Sequence, residues 1–166
     1  NSGTEALNVN GLMQRAIKTV KDACPDMLVM TDVALDPYSK FGHDGVVGNG
    51  EIVNDDTTAI LAEMGLSHAR AGADVLAPSD MMDGRVKAIR AALEESGHVN
   101  TGILSYSVKY ASSFYGPFRD AASSTPSFGD RGSHQMDIRS GYDEAILEAV
   151  SDEGEGADII MVKPAL

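Results

Sequence analysis

The run GILSYSVKYASSFYGPFRD, residues 102–120, decides how the rest of the chain is read. Its first part, Ile103 to Val108, is a short strand-like stretch that delivers Lys109 at its end. A loop follows with Tyr110, Phe114, Tyr115, Phe118 and one arginine, Arg119. A second strand-like run, Asp158 to Val162, delivers Lys163 in the same way, just before Pro164. A lysine at the end of a buried strand loses hydration, which lowers its pKa from about 10.4 toward the range where the free amine attacks a carbonyl. A second ammonium nearby lowers it further. Lys109 and Lys163 therefore suggest a site that holds carbonyl substrates as imines. The plainer alternative is two solvated or salt-bridged lysines, and matched placement on sequential strands weighs against it.

On either side of this run, strands and helices alternate. An apolar series at helical spacing (Leu12, Met13, Ala16, Ile17, Val20, Ala23) predicts a helix to Cys24, ended by Pro25. Met27 to Leu35 reads as a strand buried on both faces, with Asp32 its one awkward residue. The glycine-rich stretch 36–54 is long for a strand-to-helix connection and is a candidate active-site or metal loop. Its glycines match no phosphate-binding pattern. Asn54 is expected to cap a helix from Asp55 to Ala71, which Gly72 closes. Asp74 to Pro78 is a strand running into Ser79 and Asp80, and helices are expected over about 84–96 and 142–152. Residues 111–139 show no clean period and read as a loop insertion.

Short apolar strands, each followed by an amphipathic helix, predict a parallel sheet covered by helices. The polar candidates Asp32, Ser79, Lys109 and Lys163 lie in or just after four successive strands. A (β/α)8 TIM barrel collects its chemistry in this way, at the C-terminal rim from several strands, whereas a doubly wound sheet concentrates it at a switch point. Four strands are half of such a barrel, and a whole one takes roughly 250 residues. The expectation is an α/β chain forming one partial barrel over residues 1–166, cut at both ends from a longer protein.

Bulk properties narrow the function classes. A net charge of −12 disfavours general affinity for nucleic acid or anionic membrane. No apolar run approaches 18 residues, and the first residues lack the basic start and apolar core of a signal peptide. Cys24 is the single cysteine, which excludes an internal disulfide and a zinc site built mainly of thiolates.

The remaining candidates each have a plainer reading beside the chemical one. Asp32 inside an apolar strand should face a lysine, a metal or a polar substrate group, or else serve a backbone N–H. Ser79 and Asp80 share that ambiguity. Arg119, Arg131 and Gln135 flank the loop insertion, where arginines could hold a substrate carboxylate bidentately as the loop closes, or simply be surface residues. Asp36, His43 and Asp44 have the residue types of a metal cluster but weak spacing. His68 reads as a surface or packing residue.

Five runs carry a closer signal: TDVALDPYSKFGHDG (31–45), APSDMMDGR (77–85), SYSVKYASSFYGPFRDA (105–121), HQMD (134–137) and GADIIMVKP (156–164). Together they resemble the delta-aminolevulinic acid dehydratase (porphobilinogen synthase) family across essentially the whole chain. The resemblance implies a (β/α)8 barrel in which this segment supplies about the third to sixth strands, with the insertion at about 111–139 as a lid. It implies condensation of two molecules of 5-aminolevulinate to porphobilinogen in tetrapyrrole (heme and chlorophyll) biosynthesis. Lys163 would form the Schiff base with the substrate that supplies the propionate side, and Lys109 would hold the second substrate. Arg119, Arg131 and Gln135 match residues that bind the second substrate's carboxylate, and Phe118 matches a lid aromatic. Asp32 and Ser79 match residues that relay protons or hold polar substrate groups.

The resemblance also addresses the metal. Zinc-using members carry three cysteines where this sequence has Ala34, Asp36 and Asp44. Thiolates select zinc, and carboxylates and waters suit magnesium. The implied branch is magnesium-responsive and zinc-independent, with Glu148 at the position of an allosteric magnesium ligand. A soluble homo-octamer of the chloroplast stroma or cytoplasm is implied as well, together with a further C-terminal serine and tyrosine for one substrate carboxylate. The 166 residues alone are therefore expected to be inactive or nearly so. Two other readings stay open: a class I aldolase-like barrel, which needs one imine-forming lysine, and a non-catalytic barrel piece.

Overall fold

The chain is seen in a computed structural model that describes residues 3–39, 42–122, 132 and 134–164, without the side chains of residues 118, 119 and 122. In chain order its elements are α1 (Leu12–Ala23), β1 (Met30–Val33), the short strands β2 (Val47–Gly48) and β3 (Glu51–Ile52), α2 (Asn54–Ala71), β4 (Val75–Pro78), α3 (Arg85–Glu95), β5 (Gly102–Lys109), α4 (Gly116–Ala122), α5 (Asp143–Glu155) and β6 (Ile159–Lys163). The main sheet has the order β1-β4-β5-β6, and every pairing in it is parallel. Sequential strands as neighbours, with helices between them, form the expected partial (β/α)8 arrangement.

Strand periodicity sorts the side chains. Val33, Leu76 and Ile103 point outward and pack with Leu61 and Met64 of α2 and with Val86, Ile89 and Leu93 of α3, all buried in one apolar cluster. Burying side chains of this kind is worth about 1.5–3 kcal/mol each, which is what holds the helices on the sheet. Gly65 lets α2 approach closely: a Cβ there would lie 3.0 Å from Leu76 Cδ1. Gly72 ends α2 with φ 112°, the left-handed turn that glycine tolerates best.

Three expectations change. The first strand is only four residues long, and its faces differ: Thr31 and Val33 are buried, Met30 and Asp32 open to solvent. Asn54 does not cap α2, whose N-terminus has no side-chain cap. Instead its amide bonds the backbone N–H and C=O of Asp83, at 2.9 and 3.0 Å, and so pins the turn after β4. Residues 111–139 are not wholly loop, since they include a 3-10 turn at Ser113–Tyr115 and helix α4. Proline at 117 suits the first turn of that helix.

Among the described residues, β1 and β6 each have one strand neighbour. Ile159, Ile160 and Val162 of β6 and Ile146, Leu147 and Val150 of α5 remain exposed. That is the surface four strands of an eight-stranded architecture leave open.

Candidate active site

Strands β5 and β6 run parallel with Lys109 opposite Lys163. Register partners in a parallel pair project to the same face, so both amines enter the inner side of the sheet. A bulge in β5 shapes this side. Ser105 pairs with Ile160 and Val108 with Val162, so β5 spends one residue more than β6 over the same span. Ser105 and Val108 consequently both face the helices, while Tyr106 and Lys109, three residues apart, both face inward. A regular strand would set them on opposite faces.

The two amines, Asp32, Ser79, Asp36, Asp44, Tyr106 and Tyr115 line one cavity of about 130 Å³. Lys109 is buried and its Nζ donates to the backbone carbonyl of Ser79 at 2.5 Å. The Ser79 hydroxyl donates to Asp32 Oδ1 at 2.6 Å. Lys163 Nζ lies 5.3 Å from the ring centre of Tyr106 and 5.0 Å from that of Tyr115. Burial lowers the Lys163 pKa, the charge of Lys109 lowers it further, and Asp32 opposes both. Asp32 reaches solvent at the sheet's inner face, yet the side chains packed around its carboxyl desolvate it and raise its pKa, against the Ser79 hydrogen bond and the two lysine charges, with Asp44 adding to the rise. The arrangement sets an ammonium whose pKa is lowered beside a carboxyl whose pKa is raised, which suits amine attack and proton relay.

The sequence matches what this geometry suggests. A family model for delta-aminolevulinic acid dehydratase covers residues 1–166. This chain belongs to the delta-aminolevulinic acid dehydratase family. It is 58% identical over 166 residues to the chloroplastic enzyme of Oryza sativa subsp. japonica, covering 99% of this chain and 39% of the relative. For the chloroplastic enzyme 1 of Arabidopsis thaliana the identity is 57%, over 99% of this chain and 38% of the relative. The crystal structure of the Toxoplasma gondii ME49 enzyme, in complex with the reaction product porphobilinogen, superimposes with a TM-score of 0.94 at 56% identity, over 98% of this chain and 47% of that one. The chain thus spans about two fifths of the length of these curated relatives.

Against the dehydratase pattern, the structure brings Lys109, Lys163, Asp32 and Ser79 together in one cavity. Gln135 is held close by. Met136 N donates to the Lys109 carbonyl and Ala111 N to the Met136 carbonyl, stitching this segment onto the end of β5. Gln135 is buried, and among the described residues neither of its amide atoms has a hydrogen-bond partner. It lines a second, larger cavity of about 800 Å³ with His43, His134 and Glu148. His134 Nε2 lies 2.7 Å from Asp44 Oδ2, both side chains nearly buried, which ties the same segment to the loop after β1. Phe118 and Arg119 fall on α4, after the 3-10 turn that follows β5, but their side chains lie outside the described residues, as does Arg131.

Of the three residues that the resemblance sets against zinc-binding cysteines, Ala34 is buried and Asp36 and Asp44 face the lysine cavity. No group of three or more His, Cys, Asp or Glu side chains among the described residues is arranged to hold a metal. Glu148, on α5, lies 3.2 Å from Arg85 and is raised in pKa by burial and then by Asp152. It lines the larger cavity with Asp83, Asp137 and Glu144. These carboxylates share the cavity with His43, His134 and Gln135, and oxygen donors of this kind suit a magnesium ion that keeps its waters better than one held in a protein cage.

Two features escaped the sequence reading. Tyr106 stands inside the quoted strand, but only the bulge turns it toward the lysines. Arg85 is fully buried, donating to Asp152, Glu148, Ser105 and the Tyr106 carbonyl and lying 3.9 Å from Asp80. It reads in sequence as the first residue of an amphipathic helix, and nothing local marks it as a hub. His68 likewise is a core residue, its Nδ1 3.1 Å from Thr31 Oγ1.

Proposed function

We propose that this chain carries the two-lysine site of a delta-aminolevulinic acid dehydratase, which condenses two molecules of 5-aminolevulinate to porphobilinogen with loss of two waters. The observation that carries the reading is the parallel register of Lys109 with Lys163 over a cavity shared with Asp32. Each neutral amine adds to the ketone of one substrate; water leaves with the ketone oxygen, and nitrogen and carbon remain joined as an imine. Protonation of that imine acidifies the neighbouring carbon, so the two substrates can join. The raised carboxyl of Asp32, hydrogen-bonded to Ser79, is the group placed to shuttle protons between them.

Lys163 takes the propionate-side substrate and Lys109 the second one. Arg119, Arg131 and Gln135 receive the second substrate's carboxylate, and residues 111–139, with Phe118, close over both molecules and shed water. The amide of Gln135, buried beside the end of β5 with no hydrogen-bond partner among the described residues, supports this part of the reading. When bound, magnesium supplies charge and order near α5 rather than chemistry at the imines; Glu148 would hold it through waters. Aspartates at 36 and 44 favour the zinc-independent branch. The whole protein acts as a homo-octamer, and the chloroplastic relatives support a plastid location. The 166 residues alone turn over little, because the inner face and both edges of the four-stranded sheet stay open.

Borohydride reduction of the full-length protein in the presence of 5-aminolevulinate, followed by peptide mass spectrometry, tests the reading. Substrate adducts are expected on both Lys109 and Lys163. A single modified lysine points instead to an aldolase-like barrel, and none removes the proposal.

A further inference from the structure

The bulge in β5 has a chemical consequence. It brings the Tyr106 ring onto the same face as Lys109, and the pairing with β6 brings Lys163 there too. The Tyr106 ring centre is 5.9 Å from Lys109 Nζ and 5.3 Å from Lys163 Nζ. Both distances lie within the roughly 6 Å over which an aromatic face attracts a cation. Tyr115 faces Lys163 from another element, at 5.0 Å. One half-buried ring therefore fronts two nitrogens that must carry positive charge at the same stage of a double-imine reaction, in a cavity too small to hold many waters.

We propose that Tyr106 is a shared electrostatic partner of the two lysine nitrogens, stabilising both protonated imines while keeping the two cations on a common aromatic wall. The inference rests on the double-imine reading of this site. In each step the amine nitrogen adds to the ketone carbon, the oxygen leaves as water, and a proton from solvent or a neighbouring acid leaves the nitrogen as an iminium cation. The iminium carries the same single positive charge as the resting ammonium, which is absent only while the amine is neutral for attack. The like-charge repulsion between Lys109 and Lys163 thus returns once both imines are protonated, between nitrogens that line one small cavity. The negative face of the ring opposes that repulsion without offering a base that would strip the iminium proton. The groups facing the pair are Asp32 on β1, Asp36 and Asp44 in the loop after it, Ser79 after β4, Tyr106 on β5 and Tyr115 after it. Of these, Tyr106 is the one whose ring is within cation–π range of both amines.

The test uses the full-length enzyme with Tyr106→Leu, Tyr106→Phe and Tyr115→Leu. Two quantities are read: kcat and KM, and the pH dependence of borohydride trapping at each lysine by peptide mass spectrometry. Tyr106→Leu is expected to lower kcat roughly ten-fold with a smaller change in KM, and to move the trapping midpoints of both Lys109 and Lys163 to lower pH. Tyr106→Phe, which keeps the ring, should recover most of that loss. Tyr115→Leu should move the Lys163 midpoint alone. Equal losses in the Phe and Leu variants, or trapping profiles that Tyr106→Leu leaves in place, overturn the inference. Should Tyr106→Leu not fold, the comparison of Tyr106→Phe with Tyr106→Met decides the same point, since methionine fills space without a ring. Absence of trapping at both lysines in the parent enzyme would instead refute the double-imine reading itself.

Discussion

The two faces of β5 carry two charged clusters with opposite logic. On the outer face, Ser105 meets Arg85, whose guanidinium is wrapped by Asp152, Glu148, Ser105 and two backbone carbonyls with no exposure to solvent. On the inner face, Tyr106 and Lys109 meet Lys163, two like charges with one half-open carboxylate between neighbouring strands. The outer cluster is nearly saturated with hydrogen bonds around one guanidinium; the inner one sets two ammonium groups side by side among the carboxylates Asp32, Asp36 and Asp44 and faces a cavity. Saturation in a dry interior holds structure together, whereas two like charges held side by side on a cavity wall are poised for a reaction that consumes them.

Substitutions that neutralise one charge on each face should therefore diverge. In the full-length protein, Lys163→Met is expected to cut porphobilinogen formation by more than about 10⁴-fold, as loss of a covalent nucleophile does. Its unfolding midpoint in urea should hold or rise, because a repulsion with Lys109 is removed. A large loss of stability would erase the contrast. Arg85→Met, on the other face, leaves the buried carboxylate of Asp152 unpaired and should cost about 3–5 kcal/mol in chemical denaturation. A cost below about 1 kcal/mol would mean the outer cluster is not the brace described.

A third, smaller test extends the contrast to a buried group that carries no charge at neutral pH. His68 is fully buried, and burial lowers its pKa to about 4 from 6.5. The unfolded chain binds that proton more readily, so the stability His68 secures is complete above about pH 6.5 and is lost as pH falls toward 4. At roughly 1.4 kcal/mol per pH unit it amounts to about 3 kcal/mol. His68→Gln should flatten the acid limb of a stability-versus-pH curve; an unchanged limb would assign the acid sensitivity to other groups.

Much of this was legible in residues taken locally. The helical series from Leu12 to Ala23, the stop at Gly72 and the strand-end lysines each follow from short-range chemistry, and the structure keeps all of them. Asn54 was misread because a cap and a cross-turn brace use the same amide, and the choice depends on Asp83, 29 residues away. The first strand was misread as doubly buried because its inner face opens onto the site. Arg85 gave no local sign at all, since the partners that define it come from α5 and β5.

The sequence by itself determined the alternation of strand and helix, the parallel α/β class and the two lysines at strand ends, because periodicity and turn chemistry act over a few residues. Only the tertiary structure decided which side chains meet. The register between β5 and β6, and the extra residue that turns Tyr106 inward, are properties of two strands about fifty residues apart. No single stretch encodes them, because a backbone hydrogen-bond ladder is fixed by both of its sides at once.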